Sequence, residues 1–255
     1  MKLVVNADDF GIDENRTTAI LECFRLGAIS RTTAMVNMSY FMTAVEVIKS
    51  MGLVDRMGLH LNLTEGVPLT ARMRECRVFS DGGGCFTGDF HRCGKMRLWL
   101  PAGTEVILRD ELRAQIEKFL ASGAVLLHID SHHHVHTDYS VARVLLPLLR
   151  EYGFKSIRKS RNLCVGVSFP KRIYKALFNR YVTRGMLSTD WFGRFEDFQQ
   201  CLANVRADDS VEVMVHPMYG APEQLDLAAP LTDSGWRMVE ELAFYRESEI
   251  EVAHD

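Results

Sequence analysis

Seven times along the chain a short apolar run rich in β-branched residues is followed by a stretch with helical periodicity, and this repetition restricts the fold more than any other feature. The runs fall at 2–6, 33–37, 57–63, 125–129, 155–158, 186–189 and 211–215. Helical patterns follow at 13–25, capped by Asp13 and closed by Gly27, then around Ala44 to Ile48 with a stop at Gly52, and at 105–122, 141–152, 171–184, 195–205 and 233–246. Strands alternating with helices specify parallel pairing under a helical cover. Because nothing resembling GxGxxG follows the first run, the expected architecture is a distorted (β/α) barrel of about seven parallel strands rather than an open dinucleotide-binding sheet. Residues 1–255 read as one domain, interrupted at about 64–103, where periodicity fails around Asp81-Gly82-Gly83-Gly84 between Pro68 and Pro101. Irregular segments of that length in compact domains usually serve function.

Composition narrows the class of function. Hydrophobic residues at 47% and charged residues at 25% exclude disorder and a membrane channel. Thirty basic against thirty-three acidic side chains give a net charge of −3, so no overall field draws the chain to nucleic acid or anionic lipid, and neither is expected as a partner. Six cysteines, at 23, 76, 85, 93, 164 and 201, form no CxxC pair and read as reduced structural thiols. The apolar run Leu3-Val4-Val5 is too short for a signal-peptide core, which makes the cytoplasm the expected compartment.

In a βα barrel the residues just after each strand converge on one face. Here those positions carry Asn6-Ala7-Asp8-Asp9, then His60 and Asn62, then His128-Ile129-Asp130-Ser131-His132-His133-His134-Val135-His136, and finally His216-Pro217. Two adjacent carboxylates at a buried strand end repel each other unless a cation neutralises them. Spacing by two in the histidine-rich segment would turn His128, Asp130, His132, His134 and His136 to one face of an extended backbone. Imidazoles and a carboxylate with open coordination positions suit a divalent ion that acidifies a bound water. An unligated aspartate could then accept the water's proton, and His216 could protonate a leaving group.

The segments Asn6-Ala7-Asp8-Asp9-Phe10-Gly11, Thr32-Thr33-Ala34-Met35-Val36-Asn37, Gly58-Leu59-His60-Leu61-Asn62-Leu63-Thr64 and His128 to His136 occur in the order found in the YdjC-like carbohydrate deacetylases, and the chain resembles that family. The resemblance implies a distorted barrel that removes the acetyl group from an N-acetylated sugar or oligosaccharide, such as a chitooligosaccharide, with one divalent metal, Mg2+ or Zn2+. It assigns Asp9, His60 and His132 as metal ligands, Asp8 as the base and His216 as the acid. It also implies substrate contacts from Asn37, Asp130, Arg158 and Asp190, with a homodimer as an option. Met218 and Tyr219 stand before Gly220 where the family commonly has glycine directly after the HP pair. Two other classes share parts of the pattern: a non-haem metal oxygenase, which the βα alternation disfavours, and a carbohydrate-binding relative without turnover, which the set Asp8, Asp9 and His216 disfavours.

Overall fold

In the computed structural model, which describes residues 1–163 and 168–219, seven parallel strands form one curled sheet. They are β1 (Lys2–Phe10), β2 (Arg31–Ala34), β3 (Met57–Leu61), β4 (His128–Ser131), β5 (Ser156–Ile157), β6 (Trp191–Arg194) and β7 (Ser210–Val215). Their order is β5-β4-β3-β2-β1-β7-β6, with β2 in the middle and β1 between β2 and β7. Leu3, Val4 and Val5 of β1 are buried without alternation, as expected of a parallel strand covered on both faces. Between strands run α1 (Glu14–Arg25), α2 (Phe41–Ser50), α3 (Ala71–Glu75), α4 (Asp89–Arg92), α5 (Thr104–Ala121), α6 (Tyr139–Glu151), α7 (Phe169–Val182) and α8 (Phe195–Cys201). Asp13 caps α1 as its sequence position predicts, accepting from the backbone N–H of Arg16 at 2.7 Å.

No ladder joins β5 to β6, so the barrel is distorted along that side. A single parallel bridge pairs Ser156 with Leu187, and the N–H groups of Asn162 and Leu163 donate to the carbonyl of Phe192 at 3.1 and 2.9 Å. Arg158, immediately after β5, spans the interior to Asp8 on β1, Asp130 on β4 and Glu212 on β7. One side chain can reach all of those strands only because the sheet curls around it.

The irregular segment 64–103 contains α3 and α4 and packs Met73, Phe79, Phe86 and Phe90 into the main core. Its approach is fixed from α5, where the fully buried Glu111 accepts from the N–H groups of Leu69 and Thr70 at 3.0 and 2.9 Å. The glycine run is a tight turn: Asp81 Oδ1 accepts from the N–H groups of Gly83 and Cys85. Two expectations need correction. The strand expected at 186–189 is only the bridge at Leu187, and the sixth strand begins at Trp191. The backbone after β4 does not stay extended, because residues His132–Thr137 turn into a kinked 3-10 segment. The helix expected at 233–246 lies outside the described residues. Among the described residues, no helix is long and apolar enough to cross a membrane.

Candidate active site

The centre of the site is made by an irregularity in β1. Ala7 pairs with Thr32 and Phe10 with Ala34, so Asp8 and Asp9 together stand opposite the single Thr33. Asp9 takes the left-handed conformation, φ +69°, which aspartate tolerates better than most residues. On a regular strand adjacent side chains would point to opposite faces; the bulge turns both carboxylates inward. The other two non-glycine residues with positive φ among the described residues are His133 and His134, at the turn after β4. Backbone strain is therefore concentrated where the polar residues meet.

Asp9 Oδ1 lies 3.2 Å from Nε2 of His60 and 2.9 Å from Nδ1 of His132. The three side chains are buried, and each offers a ligand atom within 4.8 Å of the others. His60 is oriented from behind: its Nδ1 lies 2.7 Å from Oδ1 of Asp130, whose other oxygen accepts from the hydroxyl of Thr33 at 3.0 Å. A carboxylate on the far nitrogen is the usual way of presenting a histidine to a metal. On the opposite side, His132 Nε2 is 3.2 Å from Oε1 of Glu65. Burial opposes charging both imidazoles, but the surrounding carboxylates prevail: Asp130, with Asp9 and Asp8, pushes His60 up to about 10, and Asp9 with Glu65 pushes His132 up to about 9.

Asp8 belongs to a second, deeper layer. Burial raises its pKa, yet the guanidinium of Arg158, bonded to both oxygens at 2.6 and 2.8 Å, holds it well below the ordinary carboxylate range. Arg158 also meets Asp130 at 2.8 Å and Glu212 at 2.6 Å, with its guanidinium 4.7 Å from the ring centre of Phe192. Arg31 pairs with the other oxygen of Glu212 at 3.0 Å. Four buried carboxylates, Asp8, Asp9, Asp130 and Glu212, against two buried guanidiniums, Arg31 and Arg158, leave two negative charges, which the protons on His60 and His132 balance here and which a divalent ion replacing those protons would balance equally. A divalent cation at Asp9, His60 and His132 matches that deficit and that donor set, so the residues fit such an ion.

The cluster forms part of the lining of a cavity of about 760 Å³, to which Glu65, His133, His134 and His216 also contribute. That volume lies within the range of small-molecule sites. His216, directly after β7, has a side chain 41% exposed and places Nε2 3.9 Å from Oδ2 of Asp8. The unusual step after Pro217 is tied down, because Asn15 donates to the carbonyl of Tyr219 at 2.9 Å and accepts from its N–H at 2.7 Å.

The expected substrate contacts fare differently. Asp130 and Arg158 are fully buried beneath the cavity and support His60 and Asp8. Asn37 is buried and braces the loop after β3, donating to the carbonyls of Glu65 and Val67 at 3.0 and 3.3 Å. Asp190 precedes β6 instead of following a sixth strand, and it accepts from the N–H of Ser210 at the start of β7, roughly 20 Å of extended strand before His216. It is removed from the site. Of the five residues expected on one face after β4, His132 joins the cluster and His134 the cavity wall. His128 and His136 instead bond Ser156 and the carbonyl of Arg158, and burial keeps both neutral. Glu212 and Arg31 were missed, although a glutamate between Val211 and Val213 in an apolar strand is a readable signal of a buried partner.

The profile of the YdjC-like protein family matches residues 2–254. The chain belongs to the YdjC-like family. Among its relatives are a carbohydrate deacetylase of Brevibacillus brevis, 35% identical and covering 86% of this chain and 82% of that one, and a chitooligosaccharide deacetylase of Proteus mirabilis, 31% identical over 98% and 89%. The crystal structure of an Enterococcus faecalis protein, provisionally named for cellobiose-phosphate cleavage, superposes with a TM-score of 0.75 at 24% identity, covering 99% of this chain and 96% of that one. At that identity the likeness speaks for the fold alone. The YdjC-like fold and the bulged Asp8-Asp9 pair thus occur in one chain.

Proposed function

We propose that this protein is a metal-dependent carbohydrate deacetylase that hydrolyses the acetamide of an N-acetylated sugar or oligosaccharide, a chitooligosaccharide being a representative substrate. The observation that carries the reading is the cluster Asp9, His60 and His132 in a small-molecule cavity, beside Asp8 and below His216. The names of the relatives support the same activity. Bound to that cluster, a divalent ion supplies Lewis-acid polarisation of the acetyl carbonyl and acidifies a water. Two imidazoles favour zinc or a similar transition ion over magnesium.

The chain's own residues then divide the work. Asp8 is the acceptor for the proton of the attacking water, and Arg158, bonded to both of its oxygens, lowers its basicity and fixes the carboxylate's direction. His216 donates a proton to the departing amine from the exposed side of Asp8. Asp130 holds the hydrogen on Nδ1 of His60, leaving Nε2 free as a donor to the ion. The test is acetate release from a panel of N-acetylated mono- and oligosaccharides, with metal-stripped protein as control and metal content measured in parallel. Release that depends on the metal is expected, and His60→Ala or His132→Ala should lose both metal and turnover. Metal-independent release, or full metal content in both variants, rejects the reading; oxygen consumption in place of acetate release would favour the oxygenase class.

A further inference from the structure

The insertion sends Glu65, His91 and Arg92 to the cavity wall, and of these His91 is held by a fully buried carboxylate that the chemistry above does not use. His91, on α4, lines the cavity, and its Nδ1 lies 2.6 Å from Oδ2 of Asp138. Asp138 stands at the N-cap position of α6, where an aspartate ordinarily accepts from the free amides of the first turn, but its side chain makes no such bond. The carboxylate is instead fully buried and shared between His91 and Arg97, whose Nε donates to Oδ1 at 2.6 Å. Ser140 adds two further ties, its N–H donating to the carbonyl of Arg97 at 3.0 Å and its hydroxyl to that of Met96 at 2.7 Å. The insertion is thus pinned to the start of α6 where His91 enters the wall.

A carboxylate on Nδ1 selects the tautomer of the neutral ring, the one with its hydrogen on Nδ1 and Nε2 as the acceptor. The imidazole is 22% exposed and is backed by the buried ring of Phe90, centroid to centroid 6.3 Å. An acceptor held rigid from behind, on the wall of a cavity meant for a polyhydroxylated ligand, is complementary to a hydroxyl donor. We infer that His91, positioned by Asp138, forms a sugar-hydroxyl subsite contributed by the insertion, distinct from the metal cluster and recognising the substrate without joining the proton transfers. This inference rests on the deacetylase reading. It gives the insertion a task, setting which sugars fit, and it withdraws Asp138 from capping for that purpose.

The experiment uses the metal-loaded full chain and an N-acetylated oligosaccharide together with analogues each lacking one hydroxyl. His91→Leu is expected to raise KM about tenfold, the loss of roughly one well-made hydrogen bond to a site built for it, with kcat and metal content nearly unchanged. His91→Gln, which keeps an acceptor oxygen, should recover part of that loss. One deoxy analogue should be insensitive to His91→Leu, because the bond is already absent. An unchanged KM in His91→Leu, equal losses on every analogue, or a fall in kcat with an altered pH profile would overturn the subsite while leaving the deacetylase reading standing. A wild-type protein that releases no acetate from any N-acetylated sugar would overturn both.

Discussion

Replacing Arg158 by methionine tests the electrostatic architecture of the whole site. The guanidinium is fully buried and holds Asp8 through two bonds, Asp130 through one and Glu212 through one. Removing one partner of a single buried ion pair costs about 3–5 kcal/mol. Here three carboxylates lose their shared cation, but each keeps a second partner: Asn6 donates to Asp8 at 2.7 Å, Thr33 to Asp130 at 3.0 Å, and Arg31 pairs with Glu212 at 3.0 Å. The loss is therefore about one full pair plus a remainder, and at least about 4 kcal/mol at pH 7 is expected, a large part of the stability of an ordinary domain. The pH dependence follows from the sign of the shift at Asp8. Its pKa is depressed in the folded protein, so its contribution is present above the unfolded carboxylate range and is lost as pH falls. The gap between wild type and Arg158→Met should accordingly narrow toward pH 4, where the orphaned carboxylates protonate. Urea unfolding of the metal-loaded proteins at pH 7 and pH 4.5 measures both quantities. A difference under about 1 kcal/mol at pH 7, or one that does not narrow, would refute the assignment of Arg158 as the cation that makes the buried carboxylates tolerable.

Asp8→Asn should retain metal and lose most turnover, whereas Asp9→Asn should lose both; reversed phenotypes in metal analysis and acetate release would exchange the two roles. His216→Ala should depress release of an amine by something like 10²- to 10⁴-fold and that of an activated aryl ester far less, and equal losses on both substrates would make His216 a shaping residue. In the metal-stripped protein the raised pKa values of His60 and His132, about 10 and about 9, stabilise the fold fully below pH 6.5, and that contribution disappears as pH rises through them. Thermal midpoints of the stripped protein should therefore drop between pH 7 and pH 10 more steeply than those of the metal-loaded protein, and parallel profiles would count against the protonated pair.

Much of this was readable from the chain because the strands are apolar and their ends are not. Six of the seven apolar runs overlap strands of the sheet, and the polar residues at the ends of β1, β3, β4 and β7 do converge. The failures have physical reasons. Met186 to Thr189 carries the composition of a strand but pairs only at Leu187, and this displaced Asp190 from the start of β6 to the end of an imagined strand. The two-residue spacing of the histidines suggested one extended face, but positive φ at His133 and His134 breaks the period, and local pattern does not report such strain. Arg158 is legible as a polar residue after a strand, yet its burial and its three acidic partners are products of the curl of the sheet, which sequence neighbours do not reveal.

The side of the barrel between β5 and β6 is stitched by isolated hydrogen bonds where every other neighbouring pair has a ladder. In amide exchange this makes it the gate through which solvent first enters: Leu187, Asn162 and Leu163 should exchange well before the amides of β1 and β7, which are paired over six residue pairs. Arg158 lies against that opening, its guanidinium stacked on Phe192 of β6. The same cation that neutralises the interior also fastens its loosest edge, so wetting of the seam and loss of the site belong to one event, and a polypeptide spliced into this side would be felt first at Asp8.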